Sequence, residues 1–343
     1  MKKIGFYNFY NVYNKNRMFN PEIQAPIGDD LLYPFHHLAR VARQRGISVS
    51  TIDTEPLDEY DAIFFLDYPG PHNQYLKKVI DMKFENLYLF IFENEIIKPD
   101  NWKRENHRYF KKIFSWRDDI IDNKKTFKFF LPNKIPETIS SDISQKTKFC
   151  CMIAGNKKNN QPGELYSERI RAIKWFETNQ PACFDLFGKG WDLTLPGSIR
   201  PLKPLIHPFF NLFFPHYPSF RGEITSKRMI LEQYKFSICY ENVCDIPGYI
   251  TEKIFDCFFA GCIPVYLGAS NVSDYIPGNC FIDKRDFSDY STLFDYLEHM
   301  SDNEYLNFLH SIEDFIKSDK ILPFGAKHFA DLIINEVNSC CLL

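Results

Sequence analysis

The feature that most constrains this chain is an alternation that runs along nearly its whole length. Short, almost unbroken apolar runs are separated by amphipathic segments. The runs at 3–9, 47–53, 61–68 and 86–92 read as strands, and 111–116 and 126–132 add two more. Between them, 29–46 places Leu32, Phe35, Leu38 and Val41 at helical spacing with Gly46 as its stop, and 72–83 reads as a second helix. Strands that are apolar throughout are buried on both faces, as a parallel sheet covered by crossover helices requires. Residues 132–147 are polar, carry two prolines and read as a linker. The alternation then resumes: strands at 148–155, 183–188, 235–240, 262–268 and 279–283, helices at 166–179, 225–234 and 251–260, and three more helices towards the C-terminus. The expected fold is α/β, with two doubly wound, Rossmann-like domains (1–140 and 141–343) facing each other across a cleft. Ligands of such sheets sit at the carboxyl ends of strands. The turns after 86–92, 148–155 and 235–240 are therefore the places to look for chemistry.

Composition removes several function classes. The 343 residues suffice for two cores, and 45% hydrophobic with 17% aromatic residues excludes a disordered chain. A net charge of −3 provides no general field for nucleic acid. No apolar run approaches the roughly eighteen residues of a membrane span. The first residues, MKKIGFYNFYNVYNKN, are too rich in Asn for the apolar core of a signal peptide. Ten cysteines are scattered through apolar runs without a CxxC pair, so buried free thiols are expected rather than a metal knuckle. A cytoplasmic setting, or the cytoplasmic face of a membrane, suits them. His36-His37 read as ordinary helix residues, and Asn271-Val272-Ser273 is a glycosylation sequon in form only. No GxGxxG follows the first strand and no GxxxxGK[ST] occurs, which weakens the usual dinucleotide and P-loop readings.

The segment 235–268 reads as one βαβ unit. Its first loop supplies Glu241, Asn242, Asp245 and Tyr249, and its helix opens on Thr251-Glu252-Lys253. A lysine in the first turn sits at the end of a helix that already carries partial positive charge. Two readings follow: either a phosphate docks on the free N–H groups there, or Lys253 extends to solvent while Glu252 offsets the dipole.

Residues 234–277, YKFSICYENVCDIPGYITEKIFDCFFAGCIPVYLGASNVSDYIP, resemble the donor-binding signature of the family 10 glycosyltransferases, the α-1,3/1,4-fucosyltransferases. The match falls on Glu241-Asn242, Tyr249, Thr251-Glu252-Lys253, Pro264 and Gly268. The resemblance implies a GT-B fold with the acceptor side first and the nucleotide-sugar side second. It implies inverting transfer of L-fucose from GDP-fucose to an oligosaccharide or glycoconjugate hydroxyl, with no cofactor and no essential metal. Lys253 matches the family's phosphate-binding lysine, and Glu252 a glutamate that accepts hydrogen bonds from ribose or fucose hydroxyls. Glu241, Asn242, Tyr249 and Thr251 match donor-pocket positions. The family's arginine on the first long helix of the second domain corresponds to Arg169 or Arg171, with Arg169 favoured. The helical phase, with Ile170, Ile173 and Phe176 buried, leaves both arginines outside the apolar stripe. Lys189, between two glycines after a strand, is a further donor candidate.

An inverting transfer needs a general base, and the family places a glutamate after a buried strand of its first domain. Here 86–92 runs into Glu93 and Glu95, which a strand's two-residue period would put on one face; Glu93 ranks ahead. Two alternatives stay open: a related inverting transferase using another nucleotide sugar, and a glycan-binding protein of the same fold without turnover. Residues 194–221 are proline-rich, aromatic and basic, either a shaped acceptor-side or membrane-contacting segment or a loop packed over its domain. The C-terminal CCLL fits a prenylation box on Cys340 only superficially, because Cys341 is a poor aliphatic. If the 194–221 segment is the membrane contact, deleting 205–218 abolishes co-sedimentation with vesicles; unchanged association removes that reading.

Overall fold

The computed structural model describes residues 1–23, 25, 29–192 and 217–339. Most of the 194–221 segment and the CCLL terminus lie outside the described residues. The first domain holds β1 (Lys2–Tyr7), β2 (Ile47–Thr51), β3 (Ala62–Leu66), β4 (Leu87–Ile91), β5 (Lys112–Ser115) and β6 (Thr126–Lys128). All pair in parallel in the order β2-β1-β3-β4-β5-β6. The second holds β7 (Lys148–Ile153), β8 (Phe184–Phe187), β9 (Tyr234–Tyr240), β10 (Ile263–Leu267) and β11 (Ile282–Asp283), parallel in the order β11-β10-β9-β7-β8. Counted from each domain's first strand, both sheets run 2-1-3-4-5, and the first continues to a sixth strand. The switch points fall between β1 and β3 and between β7 and β9, which is where doubly wound sheets open a crevice.

The unbroken apolar strands are buried on both faces, as the pattern requires. Phe64, Tyr88, Phe90 and Phe114 face one side of the first sheet, and Ile63, Phe65, Leu87, Leu89 and Ile113 face the other. The covering helices are α1 (Tyr33–Gln44) and α2 (Gln74–Asp81), followed by the short α3 (Arg104–His107). The second domain adds α4 (Tyr166–Asn179), α5 (Lys227–Leu231), α6 (Glu252–Phe259), α7 (Tyr290–Glu298), α8 (Asp302–Lys317) and α9 (Ala326–Ser339). Sequence-based boundaries match α4 residue for residue. The expected strand at 279–283 shortens to Ile282–Asp283, behind a 3-10 turn over Gly278–Cys280.

One crossing cuts across the division at residue 140. The last helix, α9, leaves the second domain and buries Phe329, Ala330, Ile333, Ile334 and Val337 among Phe6, Phe35, Leu38 and Phe90 of the first. Ion pairs Arg45–Asp331 (2.9 Å) and Lys112–Glu336 (2.7 Å) flank this contact.

The domains also meet at the carboxyl ends of their sheets. Trp116, just past β5, packs on Tyr249 with ring centroids 4.5 Å apart. The Asp118 carboxylate accepts hydrogen bonds from Lys128 Nζ (2.6 Å), Tyr275 (2.7 Å) and Asn271 Nδ2 (2.9 Å). The Asn271 Oδ1 in turn accepts from the Gly248 N–H at 2.8 Å, so the formal sequon residue is part of the seam. Gly248 has φ +81°, and a Cβ there would collide with the Trp116 carbonyl oxygen. A Gly248→Ala substitution combines αL strain with this collision. It should destabilise the protein by about 1–3 kcal/mol, read as a lowered urea midpoint.

Candidate active site

Three strand ends converge on the cleft. At the end of β9 stands Glu241, whose side chain is fully buried. Its Oε1 accepts from the Thr251 N–H (2.8 Å) and hydroxyl (2.9 Å). Its Oε2 lies 2.7 Å from the Thr251 hydroxyl and 2.9 Å from Lys253 Nζ. Thr251 is also the N-cap of α6, accepting from the Lys253 N–H. The cation at a helix N-terminus thus has a protein partner: a buried carboxylate at the end of the neighbouring strand. Burial works against the Lys253 charge, but Glu241 and Glu252 outweigh it and raise its pKa. A quarter of the lysine side chain remains exposed, so its ammonium still borders the cleft.

Two expectations change as a result. Glu241 and Tyr249 match donor-pocket positions in sequence, yet both are buried, Tyr249 to 2% exposure. Glu241 holds Thr251 and Lys253, and the Tyr249 hydroxyl accepts from Asn94 Nδ2 at 2.6 Å across the domain seam. Neither surface is open to a ligand. Asn242 is partly exposed, and its Oδ1 accepts from Arg169 Nη2 at 3.1 Å.

Arg169 corrects the helical-phase reading. It is 5% exposed and belongs to the buried stripe with Tyr166, Ala172, Ile173 and Phe176, whereas Ile170 is only partly buried. The guanidinium is tolerated there because Nη2 donates to the Tyr240 and Glu241 carbonyls, both at 2.7 Å, where β9 has run out of partners. Arg171 is the surface cation, paired with Glu168 at 2.7 Å. Lys189 lies after β8 between Gly188 and Gly190, both at positive φ, and its side chain is exposed. Among the described residues it makes no ion pair with the other candidates.

Glu252 projects from the first turn of α6 with 46% of its side chain exposed. Burial acts against its charge, but Lys253 and Lys227 prevail and depress its pKa to about 2, so it is a carboxylate throughout the working range. Lys227 of α5 lies 2.7 Å from Asp256 and 3.7 Å from Glu252. Neither Lys227 nor Asp256 is evident from the sequence motif, because the pair joins two helices.

On the first domain, β4 ends at Ile91, so Glu93 and Glu95 lie in a turn and the two-residue strand period does not relate them. The turn separates them. Glu95 forms an ion pair with Arg117. Glu93 faces the second domain, where its titration responds to Lys253, Glu252 and Lys157. Burial first, and then the Asp67 carboxylate, push the Glu93 carboxyl up to about 7. Asp67 is absent from the sequence-based candidates: the expected strand 61–68 placed it inside the strand, whereas the observed strand ends at Leu66 and leaves Asp67 directly after it. Among the described residues no group of three or more His, Cys, Asp or Glu side chains is placed to hold a metal. A cavity of about 320 Å³ opens among Lys146, Lys148, Lys235, Phe149 and Phe294, at the amino ends of β7 and β9 and away from these residues.

Two parallel doubly wound sheets with their switch points on one cleft define a GT-B type protein. A solved α1,3-fucosyltransferase shares this fold, with a TM-score of 0.57 at 16% identity over 98% of this chain and 90% of that one. Residues 143–321 match the model of the C-terminal region of glycosyltransferase family 10 (fucosyltransferase), and the chain belongs to that family. It is 36% identical over 89 residues to an α-(1,3)-fucosyltransferase of Helicobacter pylori, 25% of this chain and 18% of that protein. It is 36% identical over 103 residues to the 4-galactosyl-N-acetylglucosaminide 3-α-L-fucosyltransferase 9 of Bos taurus, 28% of each. The chain therefore spans well under a third of the length of these curated relatives.

The buried pair makes a separable prediction. Lys253→Met leaves Glu241 buried and uncompensated and should cost about 3 kcal/mol in urea unfolding. Adding Glu241→Gln should recover much of that loss while leaving any ligand defect in place.

Proposed function

We propose that the chain transfers L-fucose from GDP-fucose to a hydroxyl of a glycan acceptor, with inversion at the anomeric carbon and with Glu93 as general base. The observation that carries this reading is the pairing across the cleft. The Glu93 carboxyl, pushed up to about 7 by burial and by Asp67, lies across from a helix N-terminus bearing Lys253 and Glu252. The family membership and the relatives' fucosyltransferase names support the sugar and the donor class.

In this mechanism the acceptor hydroxyl gives its proton to the Glu93 carboxylate as its oxygen attacks the anomeric carbon. The bond from that carbon to the β-phosphate oxygen breaks, and GDP leaves with the electron pair. Negative charge then grows on the diphosphate, where the Lys253 ammonium and the positive end of the α6 dipole stabilise it. Glu252, held as a carboxylate by Lys227 and Lys253, accepts hydrogen bonds from ribose or fucose hydroxyls. Arg169 acts indirectly, holding the Tyr240–Asn242 strand end in place. No metal enters this scheme, in which the Lys253 ammonium meets the developing charge.

A base is active when deprotonated, so a Glu93 carboxyl raised to about 7 predicts that kcat/KM rises with pH through about 7 and is lost below it. Release of GDP from GDP-fucose in the presence of a glycan acceptor panel measures this. Glu93→Gln should lower the rate by on the order of 10²–10⁴ with little change in donor KM. A wild-type rate in that variant removes the base assignment. Preference for another nucleotide sugar removes the donor, and donor binding without turnover of any nucleotide sugar favours the silent binding protein.

A further inference from the structure

Asp67 follows β3 directly, at the switch point of the first sheet, with 6% exposure. Its backbone is left-handed, φ +62°, a conformation Asp tolerates better than most residues but still at some cost. One carboxylate oxygen, Oδ1, accepts three hydrogen bonds: the Phe92 N–H at 2.8 Å, the Glu93 N–H at 3.1 Å and Asn101 Nδ2 at 2.6 Å. Asn101, fully buried, completes the frame. Its Oδ1 accepts from the Tyr68 N–H at 2.7 Å, and its Nδ2 also reaches the Glu93 carbonyl at 3.2 Å. The main chain on both sides of Glu93 therefore hangs from this buried Asp–Asn pair.

All three bonds run to a single oxygen, so an asparagine could accept them without burying a charge. Among the described residues no ion pair compensates Asp67, and a buried carboxylate without one is expensive. Burial does raise its own pKa, opposed by the hydrogen bonds it accepts. A carboxyl group where an asparagine would serve the hydrogen bonds, directly behind the loop that carries the base, needs a reason beyond hydrogen bonding.

We propose that Asp67 is the positioning residue of Glu93, its buried carboxylate fixing the main chain of the base loop and keeping the base beside a negative charge. This rests on the reading of Glu93 as general base. Glu93 is also faced by Glu252 and Lys253 on α6, by Lys157 after β7, by Lys98 in its own loop and by Tyr10, Tyr166 and Tyr249. Lys253, Lys157 and Lys98 favour the charged base, and Glu252 opposes it from the far side of the cleft. Asp67 is the carboxylate on the base's own side, and it disfavours deprotonation most of all the charges. Its effect is to keep Glu93 ready to take a proton near neutral pH.

The test uses the full-length chain with Glu side chains labelled in ¹³C. The Glu93 carboxyl resonance is assigned by its loss in Glu93→Gln, and titrations of wild type and Asp67→Asn are compared. Asp67→Asn keeps the oxygen acceptor and removes the charge, so the Glu93 midpoint should fall by about one pH unit. The acid limb of GDP release from GDP-fucose should move with it, at unchanged donor KM. Asp67→Ala removes the acceptor as well and should lower kcat at least about tenfold. An unmoved Glu93 midpoint in Asp67→Asn overturns the proposal, even if Asp67→Ala fails to fold. Absence of turnover in the wild type overturns the fucosyltransfer reading instead, because the carboxyl titration is read without activity.

Discussion

The site depends on one buried carboxylate. Glu241 ends a buried strand, caps the turn into α6 through Thr251 and neutralises Lys253. Each group alone would be unfavourable: a carboxylate with no exposure, and a cation at the positive end of a helix. Together they cancel, and each fixes the geometry of the other. The motif residues Glu241, Thr251 and Lys253 are thus one electrostatic unit, of which only the lysine, together with neighbouring Glu252, borders the cleft. A motif can be dense in functional identity and still present only a few atoms to a ligand.

The second element is the seam between the domains. Tyr249 packs against Trp116 with its ring tilted and bonds to Asn94, the residue that follows Glu93. Asn94 Oδ1 in turn accepts from the Ile96 and Ile97 N–H groups at 2.9 and 3.2 Å, closing the base loop on itself. The loop carrying the base and the loop preceding α6 therefore share a single buried hydrogen bond. Asp118 and Asn271 tie the loop after β5 to Gly248 in the loop preceding α6. The distance across the cleft is set by these short contacts rather than by a flexible linker.

Much of this was legible in the sequence. The apolar runs located both parallel sheets, because burial on both faces leaves an unmistakable composition; the strand-end rule pointed to the turns after 86–92 and 235–240, and the family resemblance picked out Glu93 within the first. The limits have physical causes. Helical phase misplaced Arg169, since a guanidinium can join a buried stripe when strand-end carbonyls accept its N–H groups. Pattern could not separate Glu93 from Glu95, because the strand ends at Ile91 and a turn has no side-chain period. Motif matching could not tell exposed from buried members, so Tyr249 and Glu241 read as pocket residues. Asp67 was missed because its partners, Phe92, Glu93 and Asn101, lie some 25 to 34 residues away.

Helix α9 has a consequence for how the chain is made. The core of the first domain is completed by Phe329, Ile333, Ile334 and Val337, the last described stretch of the sequence. During synthesis the first six strands emerge with that face of their sheet covered only in part, by α1, until α9 follows. The core of the domain that is translated first is therefore completed only once residues 326–339 are available. Until then Phe90, Phe92 and Phe129, whose rings meet Phe329, lack that partner and are open to contacts with other chains.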